Sequence, residues 1–360
     1  MFALLKTLNS LDNKPTAHDL TATPRLYPFV MRGLSTLMKI SGNPTWQQTM
    51  LRIKNPSAVD YYTQKMGMTL IDTYKFDSFS LFFLATMEKP YLLKPGSTEA
   101  HQFLWSFPGT TLELTHNHGT ESNPDFKYHA GNEEGDGFGH ICFNCEDVYS
   151  ASSSLEADGV KFKKRPDEGR MKGLAFAYDD DGYWVELVKR SETTKFVNQY
   201  NLSQTMLRVK DAKKSISFYE SLGMNLLREN HFDSFSLYFM ATLLPGATPP
   251  PSDSPEARDY VKSLYGPVLE LTHNHGTEAQ PDFEHKNGNE EGKQGFGHIG
   301  FLVDDVNLAC SELAAAGATF RKEPNGGKMK GLAFVLDPDG YSVEIIKRGG
   351  YDDEATPFFY

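Results

Sequence analysis

The sequence predicts an α+β fold built from four copies of one β-α-β-β-β module, arranged as two tandem repeats. Two observations lead to this prediction. Several motifs occur twice in the same order, which indicates an internal duplication. Within each repeat, a strand-like run leads twice into a helix that ends in glycine, and further strand-like runs follow.

The duplication covers most of the chain. The run Leu-Glu-Leu-Thr-His-Asn-His-Gly-Thr-Glu at 112–121 returns at 269–278, and the run Gln-Thr-Met-Leu-Arg at 48–52 returns at 204–208. Shorter runs that begin at Phe76, Gly137 and Met171 return from Phe232, Gly295 and Met329. We therefore predict repeats at 44–190 and 200–348, a linker at 191–199, an N-terminal arm at 1–43 and a C-terminal tail at 349–360.

The elements of each module are predicted from their ends and their periodicity. The first helix has Asn55 as its N-cap, Pro56 at its first position and Gly67 just after its end. The other helices end at Gly159, Gly223 and Gly317, and Asp211 and Asp305 cap the last two. Strand-like runs lie at 79–84, 111–115, 174–178 and 183–188, with counterparts in the second repeat.

Composition excludes several classes of protein. The net charge of −11 and the lack of a basic block argue against nucleic acid as a partner. No uninterrupted apolar run of about 18 residues occurs, so we expect no membrane span. Three cysteines are too few for a disulfide framework and favour a reducing, cytoplasmic location. Residues 1–43 lack the pattern of a secretory signal. We interpret them as an arm that packs on the repeats, and an organelle-targeting segment is the alternative.

Polar residues interrupt the apolar strands at equivalent places in both repeats. Each repeat carries a glutamine, a glutamate, a histidine and a second glutamate on four different strands. These residues are Gln48, Glu113, His140 and Glu186, and then Gln204, Glu270, His298 and Glu344. A carboxylate inside a sheet is costly unless it is paired, protonated or bound to a metal. Because the whole set is duplicated, we predict divalent-metal sites with room for substrate.

Other chemistry-bearing motifs have simpler interpretations. His118 and His275 follow strands at turns and are predicted to be structural or surface residues. Cys142 and Cys145 have redox spacing, but the second repeat lacks both, so we interpret them as core thiols. The glycine-rich segment 131–139 is acidic and lacks lysine, which argues against phosphate binding.

The duplicated motifs resemble those of the eukaryotic glyoxalase I (lactoylglutathione lyase) family, in its two-domain fused form. The resemblance covers about 45–190 and 200–348, through Gln-Thr-Met-Leu-Arg, Leu-Glu-Leu-Thr-His-Asn, Gly-Phe-Gly-His-Ile, Met-Lys-Gly-Leu-Ala-Phe and Asp-Gly-Tyr. It implies a vicinal-oxygen-chelate fold, in which pairs of βαβββ modules form two half-open eight-stranded barrels. It also implies that each metal is held by residues from both repeats.

The resemblance implies two sites, each with one zinc ion and with nickel as the alternative. Site one comprises Gln48, Glu113, His298 and Glu344, and site two comprises Gln204, Glu270, His140 and Glu186. The implied reaction converts the hemithioacetal of methylglyoxal and glutathione into S-D-lactoylglutathione through an enediolate, which detoxifies methylglyoxal. Glu344 and Glu186 are implied as the main bases, with Glu113 and Glu270 serving the other substrate diastereomer.

The resemblance also implies contacts for glutathione, the anionic co-substrate. The γ-glutamyl end is assigned to Arg52 and Asn117 and to Arg208 and Asn274, and the glycyl end to Lys322 and Met329 and to Lys164 and Met171. The family usually has an arginine four residues before the metal histidine, where this chain has Asp136 and Gln294. We therefore hypothesise that site two binds glutathione adducts more weakly than site one or prefers another thiol.

Two other classes of function remain as alternatives. One is another metalloenzyme of the same fold, such as a ring-cleaving dioxygenase, an epimerase or a thiol transferase. The other is a non-enzymatic small-molecule-binding module, which would need no metal ligands. The fusion of two repeats makes a dimer unnecessary, so we expect a monomer with a small-molecule substrate.

Overall fold

The computed structural model describes residues 39–194, 196–327 and 329–350, so most of the predicted arm and tail lies outside the described residues. The first module contains β1 (Thr45–Ile53), α1 (Ala58–Asp60, continued by a π-helical turn, Tyr61–Lys65), β2 (Thr69–Lys75), β3 (Phe79–Ala85), α2 (Thr98–Leu104) and β4 (Thr111–Asn117). The second contains β5 (Phe138–Cys145), α3 (Val148–Ala157), β6 (Phe162–Lys164), β7 (Ala175–Tyr178) and β8 (Trp184–Lys189).

The second repeat has the same order of elements. Its first module contains β9 (Asn201–Val209), α4 (Ala212–Ser221), β10 (Met224–His231), β11 (Phe235–Thr242), α5 (Pro255–Ser263) and β12 (Val268–Asn274). Its second contains β13 (Phe296–Val303), α6 (Val306–Ala315), β14 (Thr319–Lys322), β15 (Ala333–Leu336) and β16 (Ser342–Lys347). The predicted α+β class and the fourfold module are thereby confirmed.

The helices differ from the prediction in two respects. Helix α1 begins at Ala58 rather than Pro56, because the side chain of Asn55 accepts a hydrogen bond from the amide of Ser57 in the preceding turn. Helices α2 and α5 were not predicted, although Ser97 and Ser254 cap them through their side chains. The predicted glycine after α1 is confirmed, since Gly67 has a φ of 66°, which favours glycine.

Each sheet combines one module from each repeat. The first sheet has the strand order β14-β15-β16-β13-β1-β4-β3-β2, and the second has β10-β11-β12-β9-β5-β8-β7-β6. The modules meet where β1 runs antiparallel to β13 and where β5 runs antiparallel to β9. Neither repeat can therefore form a complete eight-stranded sheet by itself.

Symmetrical contacts join the two sheets. Thr49 on β1 and Thr205 on β9 are hydrogen-bonded to each other, with their Oγ1 atoms 2.8 Å apart. The rings of Phe138 and Phe296 stack with centroids 5.1 Å apart. These pairs place equivalent residues of the two repeats face to face, as expected for a fused dimer.

A continuous apolar core lies beneath both sheets. Buried residues of all four modules contribute to it, among them Tyr62, Phe143, Tyr219 and Phe301. Burial of these aromatic side chains favours the folded state because it removes large apolar areas from water. The part of the chain from 39 to 350 forms one compact unit. No helix among the described residues is long and apolar enough to cross a membrane.

Candidate metal centres

Strand register brings four polar side chains together at the middle of each sheet. In the first sheet Gly300 pairs with Gln48 on one side and with Glu344 on the other. Two residues along β1, Met50 pairs with both Glu113 and His298. Because side chains alternate along a strand, residues two apart on β1 share a face of the sheet. The two rows of residues therefore present Gln48, Glu113, His298 and Glu344 on that face.

The functional atoms of site one lie within hydrogen-bonding distance of one another. The Nε2 of Gln48 lies 2.6 Å from Oε2 of Glu113, 2.9 Å from Oε2 of Glu344 and 3.0 Å from Nε2 of His298. The Nε2 of His298 lies 3.2 Å from Glu113 and 3.1 Å from Glu344. All four residues are buried. The structure thus assembles this quartet from both repeats.

Site two repeats this arrangement, with its histidine slightly farther from the other three side chains. The Nε2 of Gln204 lies 2.8 Å from Oε2 of Glu186, 2.7 Å from Oε2 of Glu270 and 3.4 Å from Nε2 of His140. His140 Nε2 lies 3.2 Å from Glu186 and 3.8 Å from Glu270. In both sites the histidine nitrogen and the two carboxylate oxygens lie within 4.8 Å of one another.

Burial and mutual charge shift the titration of both sites. Burial opposes protonation of His298, but Glu344 and Glu113 outweigh it and raise its pKa to about 9. Burial raises the pKa of Glu270 to about 7, and the neighbouring Glu186 adds to this shift. Two carboxylates and an imidazole held this close together out of water favour a cation between them.

The donor set fits a divalent metal. One imidazole, two carboxylates and one amide oxygen suit zinc or nickel with a position left for substrate. The Oε1 atom of Gln48 is buried and has no hydrogen-bond partner among the described residues. A half-turn of the amide exchanges this oxygen with Nε2, which faces the other three side chains. An otherwise unsatisfied buried oxygen would then become a ligand.

The two sites differ at the residue opposite the glutamine. Gly300 faces Gln48 in site one, whereas Cys142 pairs with Gln204 and with Glu186 in site two. Burial raises the pKa of Cys142 well above its usual value, and the charge of Glu186 adds to this effect. Cys142 and Cys145 are free and buried, which confirms the interpretation as core thiols, and the backbone register also puts Cys142 beside site two.

Loops from the partner module hold the two arginines. The guanidinium of Arg52 donates to the carbonyl of Phe296 at 3.0 Å and to Oδ1 of Asn289 at 2.8 Å. Arg208 donates to Oδ1 of Asn132 at 2.9 Å. The glycine-rich acidic segments thus orient the two arginines. Asn132 and Asn289 were not predicted, although they occupy equivalent positions in the two repeats.

The other predicted substrate residues flank the two sites. The Nζ of Lys322 donates to the carbonyl of Leu332 at 2.5 Å, and burial lowers its pKa while the charge of Glu344 opposes this. Lys164 donates to the carbonyl of Leu174 at 2.7 Å. Burial lowers the pKa of Lys164, and the negative charge of Glu186 opposes this decrease. Each lysine therefore lies within electrostatic range of one predicted base.

The remaining predicted residues occupy unlike surroundings. Asn117 donates through Nδ2 to the hydroxyl of Tyr128 at 2.7 Å, whereas Asn274 is exposed. The side chain of Met171 is 54% exposed, and Met329 packs against an apolar cluster around Leu332.

The structure also accounts for Asp136 and the turn histidines. Oδ2 of Asp136 lies 2.7 Å from Nε2 of His129 and accepts from the amide of Glu133. Two hydrogen bonds therefore hold the carboxylate of Asp136 through Oδ2, and its negative charge acts on the guanidinium of Arg208. His118 and His275 contact Ser80 and Ser236 at 2.8 Å, away from both metal quartets.

Comparison with known proteins agrees with this geometry. The sequence model described as "Glyoxalase/Bleomycin resistance protein/Dioxygenase superfamily" matches residues 48–187 and 201–345. The chain is 42% identical over 327 residues to "Glyoxalase I" of Saccharomyces cerevisiae, covering 86% of this chain and 95% of that protein. It is also 42% identical to "Lactoylglutathione lyase" of Schizosaccharomyces pombe, covering 83% of this chain and 95% of that protein.

Solved structures show the same architecture. The crystal structure of glyoxalase I from Zea mays matches with a TM-score of 0.59 at 25% identity, covering 85% of this chain and 92% of that chain. A putative dioxygenase from Bacillus subtilis, with a TM-score of 0.51 at 13% identity, shares the fold alone. Sequence, fold and paired sites agree. The chain belongs to the Glyoxalase/Bleomycin resistance protein/Dioxygenase superfamily and, within it, to the glyoxalase I (lactoylglutathione lyase) family.

Proposed function

We propose that this chain converts the hemithioacetal of methylglyoxal and glutathione into S-D-lactoylglutathione at two metal sites. The observation that carries the proposal is the duplicated quartet of Gln, Glu, His and Glu, in which strands of both repeats bring two carboxylates together. Each quartet also has an arginine and a lysine within electrostatic range.

We propose zinc as the ion in both sites, with nickel as the alternative. Gln48, Glu113, His298 and Glu344 would hold it in site one, and Gln204, Glu270, His140 and Glu186 in site two. A bound divalent ion supplies a Lewis acid that polarises the two vicinal oxygens of the substrate.

The carboxylates of the chain move the proton. Glu344 in site one and Glu186 in site two would take the proton from C1 of the hemithioacetal and return a proton to C2. Glu113 belongs to site one and Glu270 to site two. These two carboxylates would transfer the proton for the other diastereomer of the hemithioacetal. Burial raises the pKa of Glu270 to about 7, which suits this carboxylate to proton transfer near neutral pH.

The cationic residues would recognise the anionic thiol. Glutathione carries two carboxylates, whereas the protein has a net charge of −11. Arg52 and Lys322 would bind these carboxylates at site one, and Arg208 and Lys164 at site two. Hydrogen bonds to loops of the other repeat already orient both arginines. This orientation reduces the side-chain entropy that is lost when glutathione binds.

We further propose a monomer that acts in the cytoplasm to remove methylglyoxal. Each quartet is complete within one chain, because the two repeats take the place of two subunits. No second copy is needed to supply a ligand.

The decisive experiment combines purified protein, methylglyoxal and glutathione and follows the absorbance of the thioester product. We expect product formation that depends on glutathione, stops after treatment with a chelator and returns with zinc or nickel. Mass spectrometry of the native protein should find two metal ions per chain. Absence of product after metal reconstitution would refute the proposed reaction, and the same sample could then be tested as a binding protein.

A further inference from the structure

A single buried side chain distinguishes the surroundings of the two arginines. Tyr128 precedes the loop that ends at β5, and His285 occupies the equivalent position before β13. Tyr128 packs edge-to-face on Phe126 with centroids 4.9 Å apart, and His285 packs in the same way on Phe283 at 4.8 Å. The two rings therefore occupy corresponding places in the fold.

At site one the tyrosine is tied to a predicted substrate residue. The hydroxyl of Tyr128 accepts a hydrogen bond from Nδ2 of Asn117 at 2.7 Å. Burial raises the pKa of Tyr128, and the charge of Arg52 partly offsets this increase, so the phenol lies near that guanidinium. With its oxygen engaged by Asn117, the hydroxyl retains its own proton as a donor.

At site two the histidine has no comparable bond. The side chain of His285 is buried, with a relative exposure of 6%, and neither ring nitrogen has a well-formed hydrogen bond among the residues the structure describes. A buried polar group that is left unsatisfied destabilises the folded protein. An unsatisfied buried polar group in a native structure needs an explanation. A ligand that forms the missing hydrogen bond would provide it.

Burial, together with the positive charge nearby, keeps His285 neutral. Burial and the nearby guanidinium of Arg208 lower its pKa to about 4, with His273 adding to the effect and the carbonyl of Gly135 opposing it. A neutral imidazole has one nitrogen that accepts a hydrogen bond. The γ-glutamyl end of glutathione carries a carboxylate, which suits Arg208, and an α-ammonium group, which needs an acceptor.

We propose that His285 is a substrate-binding residue of site two that accepts a hydrogen bond from the α-ammonium group of the thiol. Tyr128 donates to the carboxylate at the corresponding point of site one. The two sites therefore differ in how strongly they require the amino group of the thiol. This proposal rests on the glutathione-dependent function proposed above.

The test compares glutathione with its deamino analogue, glutaryl-cysteinyl-glycine, in holoenzyme with one site disabled. Glu344→Gln leaves site two, and Glu186→Gln leaves site one. Loss of a hydrogen bond to a charged group should raise KM for the deamino hemithioacetal about tenfold or more at site two, with kcat little changed. We expect only a few-fold change at site one.

Reciprocal variants identify the residue responsible. His285→Tyr, added to Glu344→Gln, should remove the preference for the amino group, and Tyr128→His, added to Glu186→Gln, should create it. His285→Gln, which retains an acceptor, should preserve part of the preference. Equal KM ratios at the two sites, or a preference that survives His285→Tyr, would overturn the proposal.

Binding provides a readout that does not depend on turnover. Calorimetry of the wild-type holoenzyme with S-methylglutathione and its deamino form gives, for each site, the ratio of the two dissociation constants. This ratio should be about tenfold or more at site two and only a few-fold at site one, and the two ratios should become similar after His285→Tyr. Equal ratios at the two sites of the wild type would also overturn the role of His285. Failure of the proposed reaction shows up separately, as absence of thioester product from wild-type enzyme and glutathione.

Discussion

Gly300 lies directly opposite Gln48, so close that a Cβ atom at position 300 would stand 2.7 Å from Cγ and 3.0 Å from Cδ of the glutamine. No ordinary Cβ contact is that short, so any side chain at position 300 must displace the glutamine. Site two has a cysteine at this point, and Gln204 there lies 3.4 Å from its histidine, compared with 3.0 Å in site one.

We predict that Gly300→Ala weakens metal binding at site one. Overpacking of this size costs about 1–3 kcal/mol, which is about tenfold or more in Kd. Competition with a chromogenic chelator should show one of the two ions released more readily than in the wild type. Cys142→Gly is the matched control and should tighten site two; unchanged release from both variants would contradict the steric argument.

We predict that the two sites turn over independently through their own carboxylates. Glu344→Gln should abolish the contribution of site one and Glu186→Gln that of site two, while each single variant keeps the activity of the remaining site. The double variant should lose about 10²–10⁴-fold in kcat, which is the usual contribution of a general base. Metal content measured on the same samples separates loss of the base from loss of the ion.

A third prediction concerns the hydrogen bond between Thr49 and Thr205. Both hydroxyls are buried, so Thr49→Val leaves the other hydroxyl unsatisfied and should lower the free energy of unfolding by about 1–3 kcal/mol. Replacing both with valine removes both polar groups and should restore most of that loss. Urea denaturation of the four proteins measures the coupling, and additive effects of the two substitutions would argue against a direct bond.

The fourth prediction is a dependence of stability on pH that arises from Asp179. Burial raises its pKa to about 7 even though Tyr62 and the amide of Tyr183 donate hydrogen bonds to it. The unfolded value is about 3.9, so the folded protein binds more protons between about pH 4 and pH 7. The free energy of unfolding contributed by this group therefore falls as pH rises through that range.

Asp179→Asn should flatten this dependence, because an amide stays neutral and its NH₂ group can donate to the oxygen of Tyr62. Thermal unfolding at pH 5 and pH 7.5 should show a smaller difference for the variant than for the wild type. Parallel curves for the two proteins would mean that Asp179 is ionised throughout the range.

Prediction from sequence succeeded where the signal is local. Duplicated motifs and glycine-terminated helices predicted the module, because hydrophobic periodicity and end signals are properties of neighbouring residues. Helices α2 and α5 were missed because their serine caps occur in only one module of each repeat. Helix α1 was misplaced because Asn55 caps a turn rather than the helix itself.

For the candidate sites too, local signals in the sequence predicted some features, and contacts between distant segments determined the others. Period-two alternation identified polar residues that interrupt apolar strands, but it did not determine which strands are neighbours; the assignment of ligands across the repeats came from the family resemblance. Gln48 and His298 are separated by 250 positions and meet only because β1 pairs with β13. The positions of Cys142, Asn132 and His285 likewise depend on contacts between distant segments.

The sequence by itself therefore determined the duplication, the β-α-β-β-β module and the identity of the residues that do not suit an apolar strand. The family resemblance implied that each quartet draws on both repeats. Only the tertiary structure showed the strand pairing that brings these residues together and that Gly300 and Cys142 lie opposite the two glutamines. It also placed Tyr128 and His285 beside the two arginines. The physical reason is that strand register joins residues far apart in the chain, while propensity and periodicity describe only residues close together in it.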